Sequence, residues 1–352
     1  MIMRECFPCK EEKVQIDMEN VKYIYEKIGD DYSREIFANR FMYSLVGDYG
    51  YIGRILSKTE MGRKIVNMKN VYIYGAGKRG TMLMEWFPEL DCKGFIDKKG
   101  TGTCMGYPVY DPEAFEYAQG TTILISIAKM GDEVCDYLLK HKKIPRENIF
   151  ILDEYITHIS DDIYFDSKYI NNIDMTQKIF MDLGSYDGKD SIRALNYFKD
   201  DDISVYALEP DEINYKKCKQ NLEKYAGKVY LIKKGIGYEK VIARFQEGAE
   251  TASKFDETGN SLVEMDTIDG IVEERDVGFI KMDIEGQELD AIVGGAKTIR
   301  RCNPVLAVSI YHKKSDIYSI PLKILEINPS YQFYFEHYSF GWYDTVLYAV
   351  AK

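Results

Sequence analysis

Long apolar runs are missing from this 352-residue chain. No stretch approaches the roughly 20 consecutive apolar residues that span a bilayer, and the chain does not open on the uninterrupted apolar core of a signal peptide. Neither a membrane span nor export is expected. A basic excess is missing too, since 57 acidic against 46 basic side chains give a formal net charge of −11. Binding to phosphate backbones needs clustered Lys and Arg, so nucleic acid is not an expected partner. A disulfide framework is also lacking, because the seven cysteines are odd in number and scattered. That usage fits a reducing compartment, and the expected location is the cytoplasm. Cys6-Phe-Pro-Cys9 is the one close pair, but a redox or zinc role would need a helix N-terminus or a second pair, and neither follows.

What the chain has instead is alternation, over a length that suits two domains. From Val14 to about Val66 apolar residues recur at helical spacing, as in Ile36, Phe37, Arg40, Phe41, Tyr43 and Ser44, with Asp30 and Asp31 placed to cap. Residues 1–66 therefore read as a helical segment whose Tyr and Met side chains serve core and interface contacts. From Asn70 short apolar runs alternate with helical stretches: 71–74, 81–87, 92–96, 123–127, 133–140 and 149–152. This predicts a small parallel sheet over residues 67–158. The stretch from Ser160 to Gln177, dense in Asp and Asn, is the candidate join.

Residues 159–352 repeat the alternation on a larger scale, with apolar strands expected at 179–183, 205–208, 229–232, 279–282 and 305–310. Two final runs, 331–338 and 345–350, flank a short Gly-containing turn and read as an antiparallel hairpin. The expected class is α/β: a Rossmann-like sheet of the class I methyltransferase plan with a terminal β-hairpin, preceded by a smaller Rossmann-like domain and the helical segment.

Two strand–glycine–helix turns differ in charge. Gly75-Ala-Gly-Lys-Arg-Gly80 matches the dinucleotide fingerprint, and Lys78 and Arg79 add positive charge beside a helix start, which suits phosphate. Asp97, about 20 residues on, has the position of an acid that holds ribose hydroxyls. Gly75, Gly77, Lys78, Arg79, Gly80 and Asp97 thus form a candidate site for a nucleotide or nucleotide-sugar, although Gly75, Gly77 and Gly80 also suit a tight turn and close helix packing. No hydride-transfer partner is visible nearby, so redox use of NAD is disfavoured. In the second turn Asp182, Asp187 and Asp190 surround Gly184 and Gly188, and three carboxylates would repel a pyrophosphate. S-adenosylmethionine (SAM), with a sulfonium, an ammonium and a ribose diol but no phosphate, fits better. Glu209 ends the next strand, where a carboxylate accepts both ribose hydroxyls. Asp182, Gly184, Ser185, Asp187, Gly188, Glu209 and Pro210 are the candidate cofactor residues.

Ligands of open parallel sheets bind beyond the carboxyl ends of the strands. Asp182, Glu209, Asp283 and His312 all finish strands and are expected to converge. Methyl transfer to a hydroxyl is an in-line displacement that also needs removal of a proton. His312 is a candidate base, and Asp283 could orient it, bind the acceptor hydroxyl or act as the base itself. Glu285 and Glu288 flank Gly286 at a helix start, where capping alone explains them; no metal is expected, a divalent ion shared by Asp283 and Glu285 being the alternative. The aromatics from Tyr331 to Tyr343 fit strand core, or a stacking floor for a sugar.

Residues 179–352 resemble the FkbM family of SAM-dependent methyltransferases. The likeness is carried by Phe180-Met-Asp-Leu-Gly-Ser-Tyr-Asp-Gly188, Leu208-Glu-Pro-Asp211, Phe279-Ile-Lys-Met-Asp-Ile-Glu-Gly-Gln-Glu288, Ser309-Ile-Tyr-His312 and Thr345-Val-Leu-Tyr348. Family members often have Asn where this chain has Tyr186. The resemblance implies O-methylation of a hydroxyl, commonly on a sugar or a polyketide-type small molecule. The middle segment is similar to a small nucleotide-binding domain found ahead of sugar-modifying enzymes, at Tyr74-Gly-Ala-Gly-Lys-Arg-Gly80 and Gly94-Phe-Ile-Asp97. A saccharide or other small-molecule acceptor is the expected partner. The competing reading is a nucleotide-binding regulatory protein whose methyltransferase domain is inactive.

Overall fold

The computed structural model describes residues 16–100, 102–152, 163–171, 173–199, 201–246, 254–255, 259 and 261–352. Cys6 and Cys9 lie outside them. Two compact units emerge, one of residues 38–160 with 339–342, the other of residues up to 37 with 161–338 and 343–352.

Among the described residues four helices come first: α1 (Met18–Glu26), α2 (Asp31–Val46), α3 (Gly50–Leu56) and α4 (Glu60–Asn67). Asp30 caps α2 as expected, its Oδ1 accepting from Ser33 N at 2.7 Å. The helical segment is nevertheless divided, because the boundary between the units falls inside α2.

The unit of residues 38–160 continues with β1 (Val71–Tyr74), α5 (Lys78–Trp86), β2 (Cys92–Ile96), β3 (Gly102–Cys104), β4 (Tyr107–Tyr110), β5 (Thr122–Ile125), α6 (Gly131–His141) and β6 (Ile149–Ile151). Among the described residues its strands pair in the order β3-β4-β2-β1-β5-β6, parallel except for the β3–β4 hairpin. Ile73, Phe95 and Leu124 pack against Leu83 of α5 and Ile52 and Leu56 of α3. A parallel sheet needs cover of this kind, which is why its strands read as apolar runs. The β3–β4 hairpin escaped the sequence reading because its strands are short and lack buried apolar side chains.

The other unit is built from α7 (Ser167–Ile170), β7 (Ile179–Leu183), α8 (Lys189–Tyr197), β8 (Ser204–Leu208), α9 (Glu212–Leu222), β9 (Val229–Ile232), β10 (Gly235–Ile236), β11 (Val241–Gln246), β12 (Lys254–Phe255) and β13 (Ser261–Asp266). It continues with α10 (Ile268–Val272), β14 (Val277–Met282), α11 (Glu288–Gly294), α12 (Ala296–Cys302), β15 (Val305–Ser309), α13 (Asp316–Ile327), β16 (Tyr331–His337) and β17 (Thr345–Ala351). Among the described residues the main sheet has the order β16-β17-β15-β14-β7-β8-β9, and β17 runs antiparallel to both neighbours. The parallel sheet and terminal hairpin match the expected class. The chain passes outward from β7 to β8 and β9, then returns to place β14 on the other side of β7. That reversal opens a crevice beyond the carboxyl ends of β7 and β14, where this architecture receives ligands.

Two features correct the sequence reading. A second sheet, β10-β13-β11-β12, intervenes between β9 and β14, and its two-residue strands β10 and β12 carry too little pattern to be foreseen. The described part of the candidate join is core, with Ile163, Tyr164, Phe165, Tyr169 and Ile170 all buried. Phe165 stacks on Phe180 and Phe279 at centroid distances of 5.7 and 6.4 Å. The abundant Asp and Asn masked this aromatic anchor. No helix among the described residues is long and apolar enough to cross a membrane.

Candidate active site

The turn after β7 starts at Gly184, whose φ of +79° and contact with the neighbouring strand both require glycine: a Cβ there would lie 1.9 Å from the Asp283 carbonyl oxygen. The same turn ends at Gly188, the N-cap of α8. Beneath it the acids are compensated rather than free. Asp182, fully buried, accepts from Lys281 Nζ at 3.0 Å through Oδ1 and from Ser191 Oγ at 2.7 Å through Oδ2. Lys281 Nζ also donates to the Gly184 carbonyl at 2.7 Å and lies 3.6 Å from Asp190. Burial opposes the lysine charge, but Asp182, Asp190 and Asp283 outweigh it and hold the ammonium above its ordinary range. Arg193 pairs with Asp190 at 2.8 Å and Lys189 with Asp187 at 2.6 Å. Lys281, which offsets Asp182 and Asp190, lies within the segment Phe279 to Glu288 that carries the family likeness, far in sequence from the turn that holds the three acids. Asp182 and Ser185 brace the turn from inside, Ser185 Oγ donating to the Asp182 carbonyl at 3.0 Å.

Glu209 follows β8 and is 5% exposed. Its Oε2 accepts from Tyr186 N at 2.8 Å and its Oε1 from Asp211 N at 2.9 Å, which ties the end of β8 to the glycine turn. Burial pushes the carboxyl up to about 7 against the pull of those two amides. Each oxygen keeps a lone pair for a further donor. Past Pro210, Asp211 Oδ1 caps α9 by accepting from Ile213 N and Asn214 N, both at 2.9 Å.

Asp283, directly after β14, and His312, shortly after β15, meet as expected. His312 Nε2 lies 3.4 Å from Asp283 Oδ1 and 3.7 Å from Glu285 Oε2, while Nδ1 lies 2.9 Å from Glu288 Oε1. The Glu288 approach lacks hydrogen-bond alignment, so the attraction is ionic. Burial disfavours the imidazolium, but the Glu288, Asp283 and Glu285 carboxylates outweigh it and raise His312 to about 9. At neutral pH the ring is therefore charged. Asp283 is half-buried, and the desolvation this brings disfavours its ionisation, yet Lys281 and His312 outweigh that and hold its carboxyl below the usual range. Tyr164 OH donates to Asp283 Oδ2 at 2.9 Å and Tyr311 OH to Oδ1 at 3.3 Å. Glu288 Oε1 accepts from Ile284 N at 2.9 Å, so its first task is to fold the loop that carries Asp283. Donor atoms of Asp283, Glu288 and His312 lie within 4.8 Å of one another and are the set that could gather round a cation. Glu288, rather than Glu285, completes it.

Residues 182–339 match the model of the methyltransferase FkbM domain. The C-terminal part of the chain carries an FkbM methyltransferase domain. The chain is similar in structure to methyltransferase FkbM from Methylobacillus flagellatus KT, with 19% identity, 91% of this chain and 99% of that one covered, and a TM-score of 0.52. Precorrin-6y C5,15-methyltransferase from Geobacter metallireducens GS-15 is a more distant neighbour, at 14% identity, 57% and 94% coverage and a TM-score of 0.33. No curated protein matches the chain.

Ahead of the FkbM domain, the basic turn of the other unit is closed by its own acid. Asp97 Oδ2 accepts from Ala76 N and Oδ1 from Lys99 N, both at 2.8 Å. Gly80 is where α5 presses on the turn, since a Cβ there would lie 2.0 Å from the Gly75 carbonyl oxygen. At Gly77 no described heavy atom lies within 4 Å of a built Cβ, and Lys78 and Arg79 open the helix behind it.

Proposed function

We propose that the FkbM domain transfers a methyl group from SAM to a hydroxyl of a saccharide or related small molecule. The observation that carries this reading is the pairing of Glu209 with the glycine turn on one strand end and of Asp283 with His312 on the strand ends beside it. SAM has a place here by the chemistry of the donor set: the Glu209 carboxylate with spare lone pairs suits a ribose diol, and Gly184 and Gly188 let the backbone come close. When bound, SAM supplies an electrophilic methyl carbon on a sulfonium.

The chain's own part is alignment and proton removal. His312 already carries a proton at neutral pH, so Asp283, ionised, is the group that accepts the acceptor's hydroxyl proton as the oxygen–methyl bond forms. His312 offsets the charge of Asp283, Glu285 and Glu288 and keeps the carboxylate in place. Calorimetry with SAM and with S-adenosylhomocysteine tests the cofactor; if neither binds, the reading fails. Methylation of a panel of methyl glycosides, followed by mass spectrometry, tests the acceptor class. Glu209→Ala should weaken cofactor binding by removing the diol acceptor, and unchanged affinity would move Glu209 out of the site.

The open approach at Gly77 beside Lys78 and Arg79 favours a second reading, a nucleotide or nucleotide-sugar held by residues 67–158. Thermal stabilisation by nucleotides with no methylated product would support a regulatory role. Turnover of any acceptor would exclude an inactive FkbM domain.

A further inference from the structure

Tyr164 lies outside residues 182–339, in the stretch whose composition reads as a join, yet it is 3% exposed and touches the chemical centre. Its hydroxyl is 2.9 Å from Asp283 Oδ2 and 3.0 Å from Ser309 Oγ. Burial and the adjacent Asp283 raise the phenol well above its ordinary range, so it keeps its proton. A tyrosine hydroxyl has one proton to give. It goes to the Asp283 carboxylate, so in the 3.0 Å contact the fully buried Ser309 is the donor to the tyrosine oxygen, and its hydroxyl also lies close enough to favour the Asp283 carboxylate. The result is a directed chain, Ser309 to Tyr164 to Asp283. It engages only Oδ2, while Oδ1 faces Tyr311 and His312.

Two further observations separate this from an ordinary buried tyrosine. Tyr164 has φ of +66°, a left-handed conformation that costs a bulky residue about 1–2 kcal/mol. The segment is also clamped directly after that strain, by Phe165 on Phe180 and Phe279 and by Tyr169 on Tyr334 and Tyr348. The hydroxyl is therefore delivered to one place. We propose that Tyr164, backed by Ser309, is a positioning residue for methyl transfer, locking the Asp283 carboxylate so that Oδ1 is presented to the acceptor hydroxyl. The inference rests on the methyltransferase reading.

The test uses the full chain with Tyr164→Phe, which keeps the ring and removes the donor, and Ser309→Ala, which removes only the group behind it. On the methyl glycoside that the wild type methylates, Tyr164→Phe should lower kcat about 10- to 100-fold, the usual loss when a supporting hydrogen bond to a site ligand is removed. Ser309→Ala should lower it less, and the double variant should do no worse than Tyr164→Phe alone. Affinity for S-adenosylhomocysteine by calorimetry should stay unchanged, which a general loss of fold would not allow. Crystal structures with S-adenosylhomocysteine bound should show the Asp283 carboxylate rotated in Tyr164→Phe. Wild-type kcat in Tyr164→Phe, or an unmoved Asp283, overturns the proposal. Should no glycoside be turned over, the position of Asp283 in the two crystal structures decides alone. Loss of cofactor binding by the wild type overturns the methyltransferase reading instead, so the two failures are distinguishable.

Discussion

The turn after β1 and the turn after β7 solve one problem with different chemistry. Each follows the first strand of a parallel sheet, begins with a positive-φ glycine and is clasped by the acid at the end of the next strand, Asp97 on Ala76 N and Glu209 on Tyr186 N, both at 2.8 Å. An acid in that position is thus first a clasp, and its place in the sequence does not by itself argue for ribose. What differs is the third strand. β5 brings Ser126, whose hydroxyl donates to the Tyr74 and Gly75 carbonyls at 3.0 and 3.2 Å. β14 brings Lys281 among Asp182, Asp190 and Asp283. Because a neutral serine suffices to support such a turn, the buried charges under the second exceed what the fold requires.

The largest effect is expected from that charge. Lys281→Met would leave the fully buried Asp182 without its counter-ion and should cost about 3–5 kcal/mol. Ser126→Ala, the corresponding cut under the basic turn, should cost only about 1 kcal/mol. Chemical denaturation of both variants checks the comparison, and equal losses would break it. Adding Asp182→Asn to Lys281→Met should recover part of the stability.

The next effect probes the backbone. Gly184→Ala meets both a φ of +79° and the Asp283 carbonyl 1.9 Å away, and should cost about 3 kcal/mol. Gly77→Ala meets neither obstacle and gives up only the N-cap preference for glycine over alanine, so it should cost no more than about 1 kcal/mol. A matching pair of melting temperatures would show that the two turns are equally open.

Much of this contrast was legible before the fold was known. The main parallel strands, the terminal hairpin and the two glycine turns announce themselves because buried parallel strands are continuous apolar runs with glycine at their ends. Asp283 and His312 were legible as neighbours because both finish adjacent strands. Lys281 was not, since a lysine inside a buried strand has no periodic signature and its partner is 99 residues away in sequence. Tyr164 was hidden by the polar residues around it. The protonation of His312 depends on three carboxylates gathered by folding, which no local spacing shows.

A smaller effect concerns the cofactor clasp. Glu209 titrates near 7 in the folded protein, above its unfolded value. As pH rises through about 7 the buried carboxyl ionises, so its contribution to stability, present in full below its unfolded pKa, is lost. The ribose diol has the opposite preference, because only the carboxylate accepts from both hydroxyls. SAM affinity should accordingly rise by up to about tenfold per pH unit below 7 and level off above it, one pKa unit being worth about 1.4 kcal/mol. Calorimetry from pH 6 to 8 measures this, and Glu209→Gln should flatten the profile. A flat wild-type profile would leave Glu209 a clasp and nothing more.

The smallest effect comes from the length of the turns. One residue separates the first glycine from the helix N-cap in the basic turn, Gly75 to Gly77, and three separate them in the acidic one, Gly184 to Gly188. The longer path needs three left-handed residues, and the middle one is Tyr186 with φ of +52°, where Asn, the residue often found there in family members, is far better tolerated. Tyr186 is 38% exposed, and its ring has Lys217 Nζ at 5.1 Å, a contact worth about 0.5 kcal/mol at such a site. Relief of about 1–2 kcal/mol of backbone strain outweighs that loss, so Tyr186→Asn should stabilise the protein by about 0.5–1 kcal/mol. Ala76, whose amide meets the clasping acid in the basic turn, has no positive φ to relieve, and Ala76→Asn should give no such gain. Denaturation midpoints of the two variants compare them directly. If Tyr186→Asn is destabilising, the tyrosine ring is held by contacts stronger than its strain, and its presence in place of Asn is itself a feature of this site.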